Sequence, residues 1–235
     1  MRSDCSQHPL YRAPLPKTMR WLECAGCAHQ YVEGYFGPEA MALLLTDSSQ
    51  KPGFELESQR FAWSQLLEKL QALKPGGRLL DVGFGSGALL TTAAEYGYDV
   101  TGLDVREDNV RVLKKFGYRV HLSDFAGFRA DEPFDVLVLA DVLEHLPFPG
   151  QALEHAHALL AEDGLLVLSM PNADSFLWQV LTRNGVNPYW YEIEHYHNFG
   201  RKRLAALLGQ YGFEPLRYGI SPRYLACMEV ISRKR

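Results

Sequence analysis

The amino-acid sequence predicts an α/β fold, a doubly wound and mostly parallel sheet with helices on both faces. Stretches of strand character alternate with helical stretches from residue 56 onwards, which is typical of βαβ units. The stretches 136–140 and 165–168 are continuously apolar, which indicates strands that are covered on both faces. Strands are predicted at residues 78–82, 99–104, 118–122, 134–140, 164–170, 214–219 and 225–233.

Local patterns predict the elements around these strands. Apolar residues at helical spacing over 61–73 indicate a helix before the first strand, and the Lys-Pro-Gly-Gly stretch at 74–77 ends it. Gly219 and Pro222 separate the last two strands, which we expect to form a hairpin. The segment 171–199 is too long for an ordinary connection and is rich in aromatic residues, so we expect it to cover an acceptor pocket.

Composition limits the classes of function. The 235 residues, 47% of them hydrophobic, are enough for one well-buried core. The net charge of −4 provides no broad basic field, which disfavours a nucleic-acid partner. We find no apolar run that could span a bilayer and no secretory signal, so we expect a cytoplasmic protein with reduced cysteines. The oligomeric state stays open.

A glycine-rich turn follows the first predicted strand. Gly83, Gly85 and Gly87 allow the backbone to approach a ligand closely, and the amides that begin the next helix point to the same place. Asp81 precedes the turn, where its carboxylate would repel a pyrophosphate and would suit a ligand with an ammonium group. This stretch therefore predicts a nucleotide-type cofactor site.

Two classes of cofactor compete for this site. Gly83, Gly85 and Ala88 satisfy the dinucleotide pattern G-x-G-x-x-A, and an acidic residue, Asp104, follows at the expected distance. This pattern is weak by itself, and it would indicate an NAD-dependent oxidoreductase. The position of Asp81 and the third glycine favour a cofactor with a cationic amino-acid end instead.

The stretch 81–87, D-V-G-F-G-S-G, resembles the first motif of the class I S-adenosylmethionine-dependent methyltransferases. Further stretches resemble later family motifs in the same order, at 100–104, 123–125, 134–146 and 160–169. The stretch 194–213 is similar to the tail of a subgroup that includes ubiquinone-type O-methyltransferases and many small-molecule enzymes. The resemblance covers residues 56–235 and implies a Rossmann-like methyltransferase fold of seven strands, one of them antiparallel.

The resemblance also implies roles for individual residues. In the family, the acid that ends the second strand receives the ribose hydroxyls, a role that falls on Asp104, with Val105 beside it. Asp124 and Phe125 resemble the residues that meet the adenine amine and ring, and Ala140 ends the fourth strand. The predicted cofactor-binding residues are Asp81, Gly83, Gly85, Gly87, Asp104, Val105, Asp124, Phe125 and Ala140.

Methyl transfer from a sulfonium requires alignment of the acceptor and exclusion of water, and an oxygen acceptor also requires a base. His145 is the first candidate, because it begins the turn after the fourth strand, and His195 follows in the segment 171–199. A structural role for His145 at a helix start is the alternative. Asp141, Glu144 and His145 also resemble the E-x-x-E-H cluster by which some methyltransferases hold a divalent cation.

The N-terminal segment 1–35 contains two pairs of candidate zinc ligands. Cys5 with His8, and Cys24 with Cys27, have the spacing of paired ligands, and together they could surround a structural zinc ion. The segment resembles the zinc ribbon that precedes some methyltransferases of this subgroup, and a loose arm with incidental cysteines is the alternative. Residues 36–55 are predicted to be a linker or a lid over the cofactor.

The sequence therefore predicts a methyltransferase that moves a methyl group from S-adenosylmethionine to a small, aromatic or ring-bearing acceptor, with O-methylation favoured. One alternative is a catalytically silent cofactor-binding module whose N-terminal segment docks a partner. The other is the NAD-dependent oxidoreductase.

Overall fold

The computed structural model describes residues 1–45, 56–224 and 226–235; half of the predicted linker 36–55, residues 46–55, lies outside them. The N-terminal segment forms three short strands, β1 (Arg2–Asp4), β2 (Thr18–Glu23) and β3 (Gln30–Val32). Two helices follow, α1 (Pro38–Leu45) and α2 (Leu56–Gln71).

A seven-stranded sheet and its helices make up the rest of the chain. In chain order the elements are β4 (Gly77–Val82), α3 (Ala88–Glu95), β5 (Tyr98–Asp104), α4 (Glu107–Lys115), β6 (Arg119–Leu122), β7 (Phe134–Ala140), α5 (Pro149–Leu159), β8 (Leu160–Pro171), α6 (Phe176–Arg183), β9 (His197–Asn198), α7 (Arg201–Gln210), β10 (Phe213–Ile220) and β11 (Cys227–Lys234). Strand β9 lies outside this sheet, whose spatial order is β10-β11-β8-β7-β4-β5-β6.

The topology confirms the predicted fold class. Strand β11 runs antiparallel to β10 and β8, and the other neighbouring pairs are parallel. The strand bounds agree with the prediction within one or two residues, except that β8 begins at Leu160 rather than at residue 164. Alternate residues of β7 enter two different hydrophobic cores, Leu137 and Leu139 on one face of the sheet and Val136 and Val138 on the other. The continuous apolar run is thus explained by burial on both faces.

The N-terminal strands do not form a separate unit. They form a four-stranded sheet in the order β1-β2-β3-β9, so the last strand comes from the segment 171–199. Trp21 of β2 packs edge-on against Trp190, with ring centroids 5.4 Å apart, and its Nε1 donates to the Trp190 carbonyl at 3.2 Å. The N-terminal segment is therefore an integral support of the segment 171–199.

The predicted four-ligand zinc site is not formed. The backbone N–H of Cys5 donates to Lys17 before β2 begins, whereas Cys24 follows the last residue of that strand. At about 3.3 Å of rise per residue, the two positions are about 20 Å apart. Cys5 is buried among apolar side chains, and His8 is bonded to Glu192 at 2.9 Å. The prediction was wrong because ligand spacing along the chain says nothing about which end of a strand each pair occupies.

Candidate active site

The crevice at the carboxyl edge of the parallel strands carries most of the predicted cofactor residues. Asp81 lies near the end of β4 and is only 3% exposed, and its Oδ2 atom has no hydrogen-bond partner among the described residues. Burial raises the pKa of Asp81 to about 8, while Arg223 opposes the shift and Asp104 adds to it. The unpartnered Oδ2 of this buried carboxyl can accept a hydrogen bond from a cationic donor.

The glycine turn connects β4 to α3 through left-handed backbone. Gly83, Gly85 and Gly87 have φ angles of 69°, 54° and 82°. A Cβ atom on Gly83 would lie 2.9 Å from Cγ2 of Val142, so the turn also packs tightly against the segment that follows β7. Glycine is required here by both conformation and space.

Asp104 ends β5 and organises the neighbouring backbone. Its Oδ2 accepts from the Gly85 N–H at 2.9 Å and from Nδ2 of Asn109 at 3.0 Å, and its Oδ1 accepts from the Arg106 N–H at 2.8 Å. A carboxylate has about four acceptor positions, so Oδ1 retains capacity for a hydroxyl group of a ligand. The side chain of Val105 is exposed beside it.

The remaining predicted cofactor residues differ in their surroundings. Asp124 accepts from the Gly127 N–H in an exposed turn after β6, and Ala140 is half-buried at the end of β7. Phe125, in contrast, is buried in the core, with its ring against His155 at 5.0 Å between centroids. The ring of Phe125 therefore packs in the core, and its contact with adenine stays a prediction.

Glu144, His145 and His195 converge beside this crevice. Each offers one ligand atom, and these atoms lie within 4.8 Å of one another. Glu144 and His145 belong to a short 3₁₀ turn (Leu143–His145), and the Tyr196 N–H donates to the Glu144 carbonyl at 2.8 Å, which holds His195 beside His145. The two imidazole rings are perpendicular, with centroids 4.6 Å apart. The two predicted catalytic histidines thus lie at one site.

The hydrogen bonds of this cluster leave ligand atoms free. Nδ1 of His145 donates to the Glu194 carbonyl at 3.1 Å, which leaves Nε2 as the acceptor of the neutral ring. Both carboxyl oxygens of Glu144 and Nδ1 of His195 are buried without partners in the part of the chain that is described. Burial raises the pKa of Glu144 well above its ordinary value, with Asp141 adding to the effect, and burial lowers the pKa of His195 well below its ordinary value.

Asp141, the third member of the predicted cation cluster, has a different partner. Its Oδ2 accepts from Nη1 of Arg223 at 2.7 Å, and His195 takes its place beside Glu144 and His145. Asp141 has a left-handed backbone with φ of 55°, a conformation that aspartate tolerates better than most residues. The cation pattern thus predicted two of the three clustered residues, and the third, His195, is the second of the two predicted catalytic histidines.

The aromatic segment 171–199 contains more packing residues than predicted. Trp178 and Trp190 form a buried cluster with Trp21, and Phe176 is 79% exposed on the outer surface. Tyr189 stacks on Trp178 at 5.4 Å and lies 6.3 Å from the His195 ring, measured between centroids. Tyr189 therefore places an aromatic ring beside the cluster.

Two residues of the crevice were not predicted. Arg223 lies in the turn between β10 and β11, and Trp63 lies on α2 beneath its guanidinium group at 4.1 Å. Neither belongs to a spaced motif: the Pro222–Arg223 pair indicates a turn only.

Among the described residues, no helix is long and apolar enough to cross a membrane.

Comparison with known proteins defines the class. The family model described as "Methyltransferase domain" matches residues 56–218, more than half of the chain. The ubiquinone biosynthesis O-methyltransferase of Bordetella avium (strain 197N) is 30% identical over 182 residues, which are 72% of this chain and 74% of that protein. The enzyme of the same name from Bordetella parapertussis is 32% identical over 185 residues, with the same coverage of 72% and 74%. The chain belongs to this methyltransferase family.

Solved structures show the same fold. The 1,6-didemethyltoxoflavin-N1-methyltransferase of Burkholderia thailandensis, with S-adenosylhomocysteine bound, has a TM-score of 0.65 and 22% identity, covering 92% of this chain and 98% of that one. The magnesium protoporphyrin IX methyltransferase of Synechocystis PCC 6803 has a TM-score of 0.62 and 19% identity, covering 86% and 90%. With the family assignment, the chain is an S-adenosylmethionine-dependent methyltransferase of small molecules, and the predicted class of enzyme is confirmed.

Proposed function

We propose that this enzyme methylates a phenolic oxygen of a small aromatic acceptor, and that a divalent cation held by Glu144, His145 and His195 assists the reaction. The convergence of these three side chains is the observation that carries the proposal. The names of the Bordetella relatives, both O-methyltransferases, support an oxygen acceptor.

The donor set fits a divalent cation. A carboxyl group with two unpartnered buried oxygens and a buried imidazole with an unpartnered nitrogen are costly unless something binds them. The hydrogen bond from His145 Nδ1 to the Glu194 carbonyl fixes the ring and its tautomer, as outer-shell bonds of metal-ligating histidines do. Mixed carboxylate and imidazole donors suit zinc, manganese or iron better than calcium.

The residues of the site would bind and orient the cofactor and the acceptor and would exclude water. Asp81 and the glycine turn would hold the amino-acid end of the cofactor, and Asp104 its ribose. Tyr189 lies beside His195, where an aromatic acceptor would stack. A bound cation would supply Lewis acidity that lowers the pKa of a phenol, so that the acceptor would give its proton to solvent before methyl transfer, and the histidines would act as ligands.

The first experiment compares acceptors. The protein is incubated with methyl-labelled S-adenosylmethionine and with a catechol, a phenol lacking a neighbouring oxygen, and an aromatic amine of similar size. We expect the catechol to be methylated at oxygen and the amine to be inert. EDTA should abolish turnover, and Mn²⁺ should restore it. Methylation of the amine alone, or an unchanged rate in EDTA, contradicts the proposal.

The second experiment tests the residues. Glu144→Gln and His195→Ala should lower both Mn²⁺ affinity and catechol turnover by more than about tenfold, while His121→Ala, an exposed histidine on β6, should change neither. Mn²⁺ binding is measured by electron paramagnetic resonance, and cofactor binding by calorimetry. Retention of S-adenosylhomocysteine binding would show that the variants are folded.

A further inference from the structure

The turn between β10 and β11 is anchored over the carboxyl edge of the sheet. The Ser221 N–H donates to the Cys227 carbonyl at 2.9 Å, and the Cys227 N–H donates to Tyr224 at 2.8 Å. The Asn172 N–H donates to the Ala226 carbonyl at 3.0 Å, which ties the turn to the end of β8. Arg223 is therefore presented to the crevice from a defined backbone.

The guanidinium group of Arg223 is buried and only partly satisfied. Its side chain is 8% exposed, and Nη1 donates to Oδ2 of Asp141 at 2.7 Å. Its Cζ atom lies over the Trp63 ring, 4.1 Å from the ring centroid. Nε and Nη2 have no partner within the described residues. These two donors form one edge of the guanidinium group, the edge that binds both oxygens of a carboxylate side by side.

The position of Arg223 relates this free edge to the cofactor site. Asp141, its partner, directly follows β7, the strand that pairs with β4 through Asp81 and Val138. The next residue, Val142, lies against the glycine turn, 2.9 Å from where a Cβ on Gly83 would be. Arg223 therefore lies at the same edge of the sheet as the glycine turn, where its charge acts on Asp81.

We propose that the free edge of Arg223 binds the α-carboxylate of the cofactor while Asp81 binds its α-ammonium group. The unsatisfied groups are complementary: Nε and Nη2 of the buried Arg223 lack acceptors, and Oδ2 of the buried Asp81 lacks a donor. A zwitterionic amino-acid end supplies an acceptor to the one and a donor to the other. This inference rests on the cofactor of the proposed function and is independent of the identity of the acceptor.

A carboxylate on the acceptor could occupy the same edge, and ligand chemistry separates the two sources. S-adenosylhomocysteine is compared by calorimetry with its decarboxylated analogue, a thioether amine, in the absence of acceptor. We expect the wild-type protein to bind the complete ligand at least tenfold more tightly. Arg223→Gln should weaken binding of the complete ligand by at least tenfold and leave the decarboxylated analogue within twofold of wild type.

Two further variants control the result. Arg217→Gln removes an exposed arginine from the same hairpin and should bind both ligands as the wild-type protein does. Arg223→Lys keeps the charge without the two-donor edge and should give an intermediate preference for the complete ligand. Thermal unfolding shows whether each variant is folded. If Arg223→Gln does not fold, the inference is tested by the preference of the wild-type protein and of Arg223→Lys for the complete ligand over its decarboxylated analogue.

Equal affinities of the wild-type protein for the two ligands overturn the inference, as does a loss in Arg223→Gln that is the same for both. Unchanged binding of S-adenosylhomocysteine by Arg223→Gln, with a raised KM for a carboxylated acceptor only, assigns Arg223 to the acceptor and also overturns it. Failure to methylate a catechol contradicts the proposed function alone, because no acceptor is present in these titrations.

Discussion

Cofactor binding should release a proton from Asp81. In the free protein, burial raises the pKa of this carboxyl to about 8, so the group is mostly protonated at neutral pH. A ligand ammonium group beside it favours the carboxylate and lowers the pKa in the complex. Because the free pKa is the higher of the two, binding expels the proton below pH 8, and the affinity rises as the pH rises.

The magnitude follows from the free pKa of about 8. At pH 7 about 0.9 of a proton should be released per cofactor bound, and at pH 8 about 0.5. The fraction of molecules with a charged Asp81 rises from about 0.01 at pH 6 to about 0.5 at pH 8, so the affinity should increase about fifty-fold over this interval. Arg223 and Asp104 are the charged residues that act on Asp81.

The assay is calorimetric titration of S-adenosylhomocysteine at pH 7 in two buffers with different ionisation enthalpies, which yields the number of protons released. Asp81→Asn should release almost none and bind about tenfold to a hundredfold more weakly, whereas Asp131→Asn, at an exposed position, should match the wild-type protein. A wild-type release below about 0.3 of a proton, or equal release in Asp81→Asn, would refute the role of Asp81.

Two substitutions test the scaffold around the site. Gly83→Ala should lower the free energy of unfolding by about 1 kcal/mol more than Gly117→Ala does. Both residues have positive φ, but only a Cβ on Gly83 would meet a neighbour, Val142. Denaturant unfolding measures both variants, and equal losses of stability would contradict the close contact. Trp21→Ala should lower the free energy of unfolding by about 3–5 kcal/mol and raise the KM for the acceptor, because it removes the support of segment 171–199. Tyr191→Ala, at an exposed position, is the control. An unchanged KM in Trp21→Ala would show that the segment is positioned independently of Trp21.

Much of the main domain could be predicted because its signals are local. The apolar run 136–140 indicates a strand buried on both faces, and the glycine turn with Asp81 indicates both a backbone path and a ligand. These features need only a few neighbouring residues. Even the convergence of strand ends at one edge follows from parallel topology.

The residues that were misjudged depend on contacts between distant parts of the chain. The zinc prediction failed because β2 separates the two ligand pairs. Arg223, which was not predicted, reaches Asp141 from the turn between β10 and β11, at a distance along the chain that no motif encodes. The inclusion of β9 in the N-terminal sheet is also a long-range pairing.

Titration with S-adenosylhomocysteine tests the assigned cofactor crevice most directly. We predict saturable binding of one ligand per chain, weakened at least tenfold by Asp104→Asn, which replaces a carboxylate oxygen that hydroxyl groups would use. Asp99→Asn, on the same strand but in an exposed ion pair with Arg119, should leave the affinity unchanged. Absence of binding, or binding of NADH in its place, would contradict the account.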